Sequence, residues 1–272
     1  MRDAECVELL RWALPRLGLR WEGFRRVRRQ VCRRMGRRLA ELGAGGIAEY
    51  RAVLASDPGE WRTLDGLCRV TISRFFRDRA VWSRLRDEVL PEASRLATQR
   101  RERALRCWSA GCASGEEPYG LAIVFRLAVA PAFPGLELRV VATDAEEVVL
   151  ERARRACYEA GTVREVPPEW RELAFEHRGP ELCLRAAFRD GVELRQEDLR
   201  LTMPDGPFHL VLCRNVAFTY FDLERQRAIL AGIAARLVRG GFVVIGAHES
   251  LPEPTAGLER LADRLPIFRR AR

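Results

Sequence analysis

The chain contains no lysine: all 47 of its basic residues are arginine. A bias that complete reads as an effect of codon composition. The formal net charge of +9 therefore says little about nucleic acid, and only local clustering of arginine carries weight. Long hydrophobic runs are missing as well; none approaches the ~20 apolar residues of a membrane span. The opening MRDAECVELLRWALPRLG interleaves acids and arginines with apolar residues and lacks the apolar core of a secretion signal. The eight cysteines (6, 32, 68, 107, 112, 157, 183 and 213) form no CxxC pair and have no histidine cluster beside them. Structural zinc is not expected, and reduced thiols in a cytoplasmic protein are. The three histidines, His177, His209 and His248, match no catalytic motif.

What is present suits an ordinary globular chain of 272 residues, 47% hydrophobic and 31% charged. That length can bury a sizeable core, as one large domain or as a large and a small one. The pattern divides near residues 80–100. Before that, Trp21, Phe24, Val27, Val31, Met35, Leu39 and Leu42 recur at helical spacing and predict one amphipathic helix. Arg25, Arg26, Arg28, Arg29, Arg33, Arg34, Arg37 and Arg38 make up its other face. Such a face reads either as plainly solvated or as a docking surface for an acidic partner, since like charges on one face repel. GGIAEYRAVLASDPGEWRTLDGLC adds short helices, so the first section reads as a small helical domain.

From residue 105 strands alternate with helices. LRCWSA, LELRVVATD, GVELRQEDL, FHLVLCRN and FVVIGA read as strands. EEPYGLAIVFRLAVA, AEEVVLERARRACYEA and DLERQRAILAGIAARLVRGG read as helices, the last with Asp222 as its N-cap. The alternation predicts a doubly wound α/β fold with a mostly parallel sheet, which binds ligands beyond the carboxyl ends of its strands. WSAGCASGEEPYG, residues 108–120, falls at such an end. A helix N-terminus after a glycine turn can hold a pyrophosphate, but Glu116 and Glu117 would repel one. A cofactor with no phosphate and a positive charge fits better, and S-adenosylmethionine has both properties. The acid closing VATD, Asp144, stands where a ribose diol would be held. An ordinary capping role remains open for either acid.

TISRFFRD (71–78), WSAGCASGEEPY (108–119), VVATDAEEVVLERAR (140–154) and CRNVAFTYFD (213–222) stand in this order along the chain. Together they resemble the CheR family, chemotaxis receptor methyltransferases that esterify glutamate side chains with S-adenosylmethionine. The resemblance runs from the arginine-rich helix to IGAHESLP. It implies a helical N-terminal domain with linker (1–78) and a Rossmann-like methyltransferase domain (79–272). It also implies a small antiparallel β subdomain, about 176–195, supplied largely by ELCLRAAFRDGVELR.

By motif, the family's cofactor contacts fall on Thr71, Ser73 and Arg77 of the linker, Gly111 of the turn, and Glu116 toward the methionine or ammonium end. Asp144 would take the ribose, Asp198 and Leu199 would bracket the adenine, and Arg214 and Asn215 would close the fourth strand. Arg77 and Tyr220 are the implied catalytic pair. Ser73 also reads as a helix cap, Asp198 as a turn cap and Tyr220 as core. The sequence departs from the family at Thr71 and Ser73, in one extra residue between Asn215 and Tyr220, and in GAHES for the usual GHSE. These departures lie on the acceptor side. The implied partner is an acidic helical protein docking on Arg25–Arg38, with no nucleic acid, no membrane insertion and a monomeric enzyme. A similar methyltransferase for a non-chemotaxis substrate (another protein, a small metabolite or RNA) is the alternative, and a non-catalytic cofactor-sensing or scaffolding module a third reading. No stacking platform or RNA-binding motif supports RNA.

Overall fold

A computed structural model describes residues 2–261 and 265–271. Its chain forms two units. One comprises Met1–Thr71 with Thr219–Arg225, the other Ile72–Phe218 with Gln226–Arg272. Among the described residues, no helix is long and apolar enough to cross a membrane.

The first unit holds α1 (Asp3–Ala13), α2 (Trp21–Phe24), α3 (Arg28–Glu41), α4 (Ile47–Ser56) and α5 (Pro58–Cys68). The single helix expected over 21–42 is interrupted between α2 and α3. The Leu19–Arg20 entry to α2 is tied instead to the distant 219–225 segment: Leu19 bridges Phe221, and Arg20 N–H donates to Tyr220 O at 2.9 Å. Phe24, Val31, Met35 and Leu39 are buried as the apolar stripe requires, whereas Leu42 lies past the helix end and is exposed. The arginine face is also split. Arg28 pairs with Asp3 at 3.2 Å, Arg34 donates to Leu67 O at 3.3 Å, and Arg38 forks onto buried Glu60 at 2.7 and 3.1 Å. Arg29, Arg33 and Arg37 form the exposed stripe of α3, at spacings of four residues, and Arg25 and Arg26 are exposed in the turn before it.

The second unit carries α6 (Arg79–Arg84), α7 (Leu90–Gln99), β1 (Ala104–Ala110), α8 (Glu116–Val124), β2 (Glu137–Asp144) and α9 (Glu147–Arg155). After these come β3 (Cys157–Glu159), α10 (Pro168–Ala174), β4 (Phe175–Arg178), β5 (Glu181–Leu184), β6 (Val192–Gln196) and β7 (Phe208–Cys213). The remaining elements are α11 (Ala217–Tyr220) and α12 (Leu223–Arg236), whose residues 219–225 are counted with the first unit, and β8 (Leu237–Ile245), β9 (Leu258–Arg260) and β10 (Ile267–Arg270). Seven strands form one sheet in the order β6-β2-β1-β7-β8-β10-β9. The pairings from β6 to β8 are parallel, and β10 and β9 close that edge antiparallel. The chain leaves β1 in one direction to reach β2 and later pairs β7 on its other side. The carboxyl end of β1 is therefore the topological switch point, the expected place for a ligand crevice.

A separate three-stranded sheet, β3-β5-β4, is antiparallel. The subdomain expected over 176–195 thus takes β4 and β5 and, unexpectedly, the 157–159 strand. Val192–Gln196 joins the main sheet, parallel to Val140–Asp144. Gly191 permits this: its φ is +83°, and a Cβ there would lie 2.4 Å from Leu138 O. Two helices are shorter than their sequence suggests. α9 ends at Ala156 in a left-handed conformation before β3, and α12 yields to β8 at Leu237, which pairs with Phe208. Asp222 does cap α12, accepting Arg225 N–H at 2.9 Å.

The expectation of reduced thiols throughout is corrected. Cys6 is disulfide-bonded to Cys32 across α1 and α3, and Cys157 to Cys183, its direct partner in the β3–β5 register. Tertiary pairing, not sequence proximity, brings these cysteines together. Cys68, Cys107, Cys112 and Cys213 are free and buried.

Candidate active site

The site is built where β1, β2 and β7 end. β1 stops at Ala110, and the N–H groups of Gly111 and Cys112 both donate to Thr143 O, at 2.8 and 2.9 Å. This folds the GCASG turn back over β2. Gly115 has φ +91°, and a Cβ there would meet the Tyr119 ring at 2.7 Å, so only glycine lets α8 begin here. Asp144, at the end of β2, accepts Ala113 N–H at 2.9 Å and Glu146 N–H at 3.0 Å. Its carboxylate therefore shapes the turn.

The two glutamates that open α8 have different surroundings. Glu116 is 4% exposed, and its Oε2 is buried without a hydrogen-bond partner among the described residues. Burial pushes its carboxyl up to about 7, and the neighbouring Glu117 charge adds to this. Its own backbone hydrogen bond and the Ser73 hydroxyl act in the opposite direction. An acceptor held this way at a helix N-terminus is matched by a cation. Glu117 is instead fully engaged, accepting the Ser109 hydroxyl at 2.8 Å and Arg214 Nη1 at 3.3 Å.

The linker enters this unit at Ile72. Phe75 is fully buried, with edge-on contacts to Tyr158 and Phe175 at centroid distances of 5.0 and 5.4 Å. Phe76 stands edge-on to Trp82 at 4.9 Å. Burying each ring contributes roughly 1.5–3 kcal/mol. Arg77 follows, half-buried, and no hydrogen bond or ion pair engages its guanidinium among the described residues. Its carbonyl accepts Arg214 Nη2 at 2.8 Å. Asn215, past β7, has φ +58°.

A residue that the motifs did not single out secures this end. Glu249 is 8% exposed, and its Oε2 accepts Asn215 N–H at 2.9 Å and Gly246 N–H at 2.5 Å, joining the ends of β7 and β8. The signal was the acid three residues after glycine in GAHES, which keeps the spacing of the family's GHSE.

Gly111, Glu116, Asp144, Ser73, Arg77, Arg214 and Asn215 thus lie in one unit around strand ends tied together by hydrogen bonds. Asp198 and Leu199 belong to the same unit, half-buried beyond β6. The Asp198 carboxylate is taken up by Arg200, whose Nε and Nη2 approach at 2.9 and 2.6 Å. Thr71 and Tyr220 belong to the helical unit. The Tyr220 ring packs on Phe24 with centroids 5.1 Å apart.

The family described as CheR methyltransferase, SAM binding domain, matches residues 71–263. The chain is 34% identical over 188 residues to the chemotaxis protein methyltransferase of Listeria monocytogenes, covering 69% of this chain and 68% of that one. A probable chemotaxis protein methyltransferase of Rhizobium etli is 30% identical over 226 residues, with 80% and 83% covered. The chemotaxis protein methyltransferase of Escherichia coli is 30% identical over 232 residues, with 82% and 77% covered.

Proposed function

The chain belongs to the CheR family of S-adenosylmethionine-dependent methyltransferases, and from this premise we propose that it esterifies glutamate side chains of an acidic helical chemoreceptor. The observation that carries the reading is the buried, partner-less Glu116 oxygen at the start of α8, in the same unit as the uncommitted Arg77 guanidinium. The first is suited to the cationic end of the cofactor, the second to an anionic acceptor. The residues present therefore fit S-adenosylmethionine. Glu116 would meet its ammonium, Asp144 its ribose hydroxyls, and Leu199 would wall the adenine beside an Asp198 held rigid by Arg200. Ser73, Gly111 and Asn215 would complete the enclosure.

When bound, the cofactor supplies a methyl group already activated by the positive charge of its sulfur. The protein then has little acid–base work to do. A glutamate side chain has a pKa of ~4.3 and is ionised at neutral pH, and water solvation is what blunts it as a nucleophile. Phe75 and Phe76 keep the linker packed and exclude water. Arg77 offers a planar fork that takes the acceptor carboxylate with two donors. It would orient the carboxylate oxygen toward the methyl group.

Docking falls to the exposed stripe of Arg29, Arg33 and Arg37 with the exposed Arg25 and Arg26 before it, for which an acidic helical bundle is the complementary surface. Reversing Arg29, Arg33 and Arg37 to glutamate is expected to raise KM for the acceptor about tenfold or more at low salt. The salt dependence should flatten and the Kd for cofactor should not change; an unchanged KM across salt would leave the stripe merely solvated. A monomer acting in the cytoplasm suffices for this scheme. The test of the reaction itself is incubation with methyl-labelled S-adenosylmethionine and a receptor cytoplasmic fragment, followed by mild base. Carboxyl esters release labelled methanol, whereas methylated amines and nucleobases retain the label and would refute the assignment.

A further inference from the structure

Arg214 matches a family cofactor contact, yet its side chain is committed largely to protein. It is 4% exposed, and Nη2 donates both to Arg77 O at 2.8 Å and to Asp78 Oδ2 at 2.9 Å. Nη1 reaches Glu117 Oε2 at 3.3 Å, and the guanidinium carbon lies 5.9 Å from the Trp82 ring centroid. Only Nε is left without a partner among the described residues. One buried guanidinium thus joins the linker, the first turn of α8 and the end of β7.

The backbone it grips is unusual. Arg77 stands between two non-glycine residues in the left-handed region, Phe76 at φ 52° and Asp78 at φ 65°. Such conformations persist where the surroundings over-determine them, and they cluster at functional sites. On one side the constraint is the packing of Phe76 against Trp82; on the other it is Arg214, which holds the Arg77 carbonyl and the Asp78 carboxylate at once.

We propose that Arg214, with Asp78 and Glu117, forms a latch that fixes the linker backbone and so presents the Arg77 guanidinium to the acceptor in one orientation. Arg214 is then a positioning residue acting through Arg77. The inference rests on the acceptor role given to Arg77 above. Glu117 suits the task because Ser109 fixes its other oxygen. Burial raises the Glu117 carboxyl, and the Arg214 charge is the largest influence opposing this.

Asp78→Asn tests the latch, because asparagine tolerates the left-handed backbone as aspartate does while the ion pair is lost. Arg214→Lys, which keeps the charge and gives up the fork, is the second variant should the first fold poorly. In either, kcat is expected to fall about tenfold with the Kd for S-adenosylmethionine held within about twofold. In an Arg77→Ala background the same substitution should change kcat by less than about twofold, since its effect passes through a side chain already removed. Tryptic cleavage after Arg74, Arg77 and Arg79 should accelerate about fivefold or more without a change in the global melting temperature. A full tenfold loss persisting beside Arg77→Ala overturns the latch. So does a cofactor Kd that weakens in step with kcat, because Arg214 would then touch the cofactor itself, and so does unchanged cleavage in both variants. Cleavage is read without any acceptor. Accelerated cleavage in a protein that esterifies no carboxylate upholds the latch and overturns the acceptor reading instead.

Discussion

Arg77→Ala is expected to lower kcat about a hundred-fold, in line with lost orientation of the nucleophile, while the Kd for S-adenosylmethionine moves by less than about threefold. The physical basis is the contrast between the two arginines of this region. Arg214 is bonded to three protein groups, whereas no hydrogen bond or ion pair engages the Arg77 guanidinium among the described residues. A guanidinium positioned at such cost without an internal partner is available to an external carboxylate. Arg77→Lys should be nearly as impaired, because an ammonium keeps the charge and loses the two-donor alignment. Single-turnover methylation and calorimetric cofactor binding separate the two quantities. Near-normal kcat in the lysine variant would show that charge alone suffices. Loss of cofactor binding in the alanine variant would make Arg77 part of the cofactor enclosure and remove it from orientation of the acceptor.

Cofactor affinity is expected to depend on pH through Glu116. Burial holds its carboxyl near about 7 in the free protein, and a bound cation stabilises the ionised form and brings that value down. The free protein then carries more protons than the complex, so affinity rises with pH up to about 7 and levels off above it. Between pH 8 and pH 6 the Kd should weaken about tenfold. Glu116→Gln should bind more weakly at pH 8 and lose this pH dependence. The groups nearest to it act in both directions: the Glu117 charge raises the carboxyl, and the Ser73 hydroxyl lowers it. The folded protein should not suffer from the substitution. A carboxyl whose pKa is raised by folding costs stability above its unfolded value of ~4.3, so the glutamine variant should melt no lower than wild type at pH 8. Titration calorimetry at pH 6, 7 and 8 decides the matter, and a wild-type Kd constant across that range would remove Glu116 from the cation's environment.

By itself the sequence determined the features that depend on short-range chemistry. Alternating apolar strands and amphipathic helices specify a wound sheet, and the glycines of GCASG specify a turn between β1 and α8. The acids at Glu116 and Asp144 therefore stand at strand ends, whatever the rest of the chain does. Four motifs in order were enough to identify the family, because each is a local segment. The tertiary structure alone decided whatever depends on which distant segments meet. Arg214 reaches Glu117 and Asp78 across 97 and 136 residues, so no local pattern could reveal that its fork is spent on a latch. The same holds for Glu249 under Asn215, for the 219–225 segment paired with Leu19 and Arg20, and for Cys157 opposite Cys183. Val192–Gln196 looked like part of a small antiparallel sheet because strand propensity does not specify a partner; the register with Val140–Asp144 does. On α3, periodicity placed every arginine on the polar face. Only the positions of Asp3, Glu60 and Leu67 on neighbouring elements divided those that brace the fold from those left to meet a partner.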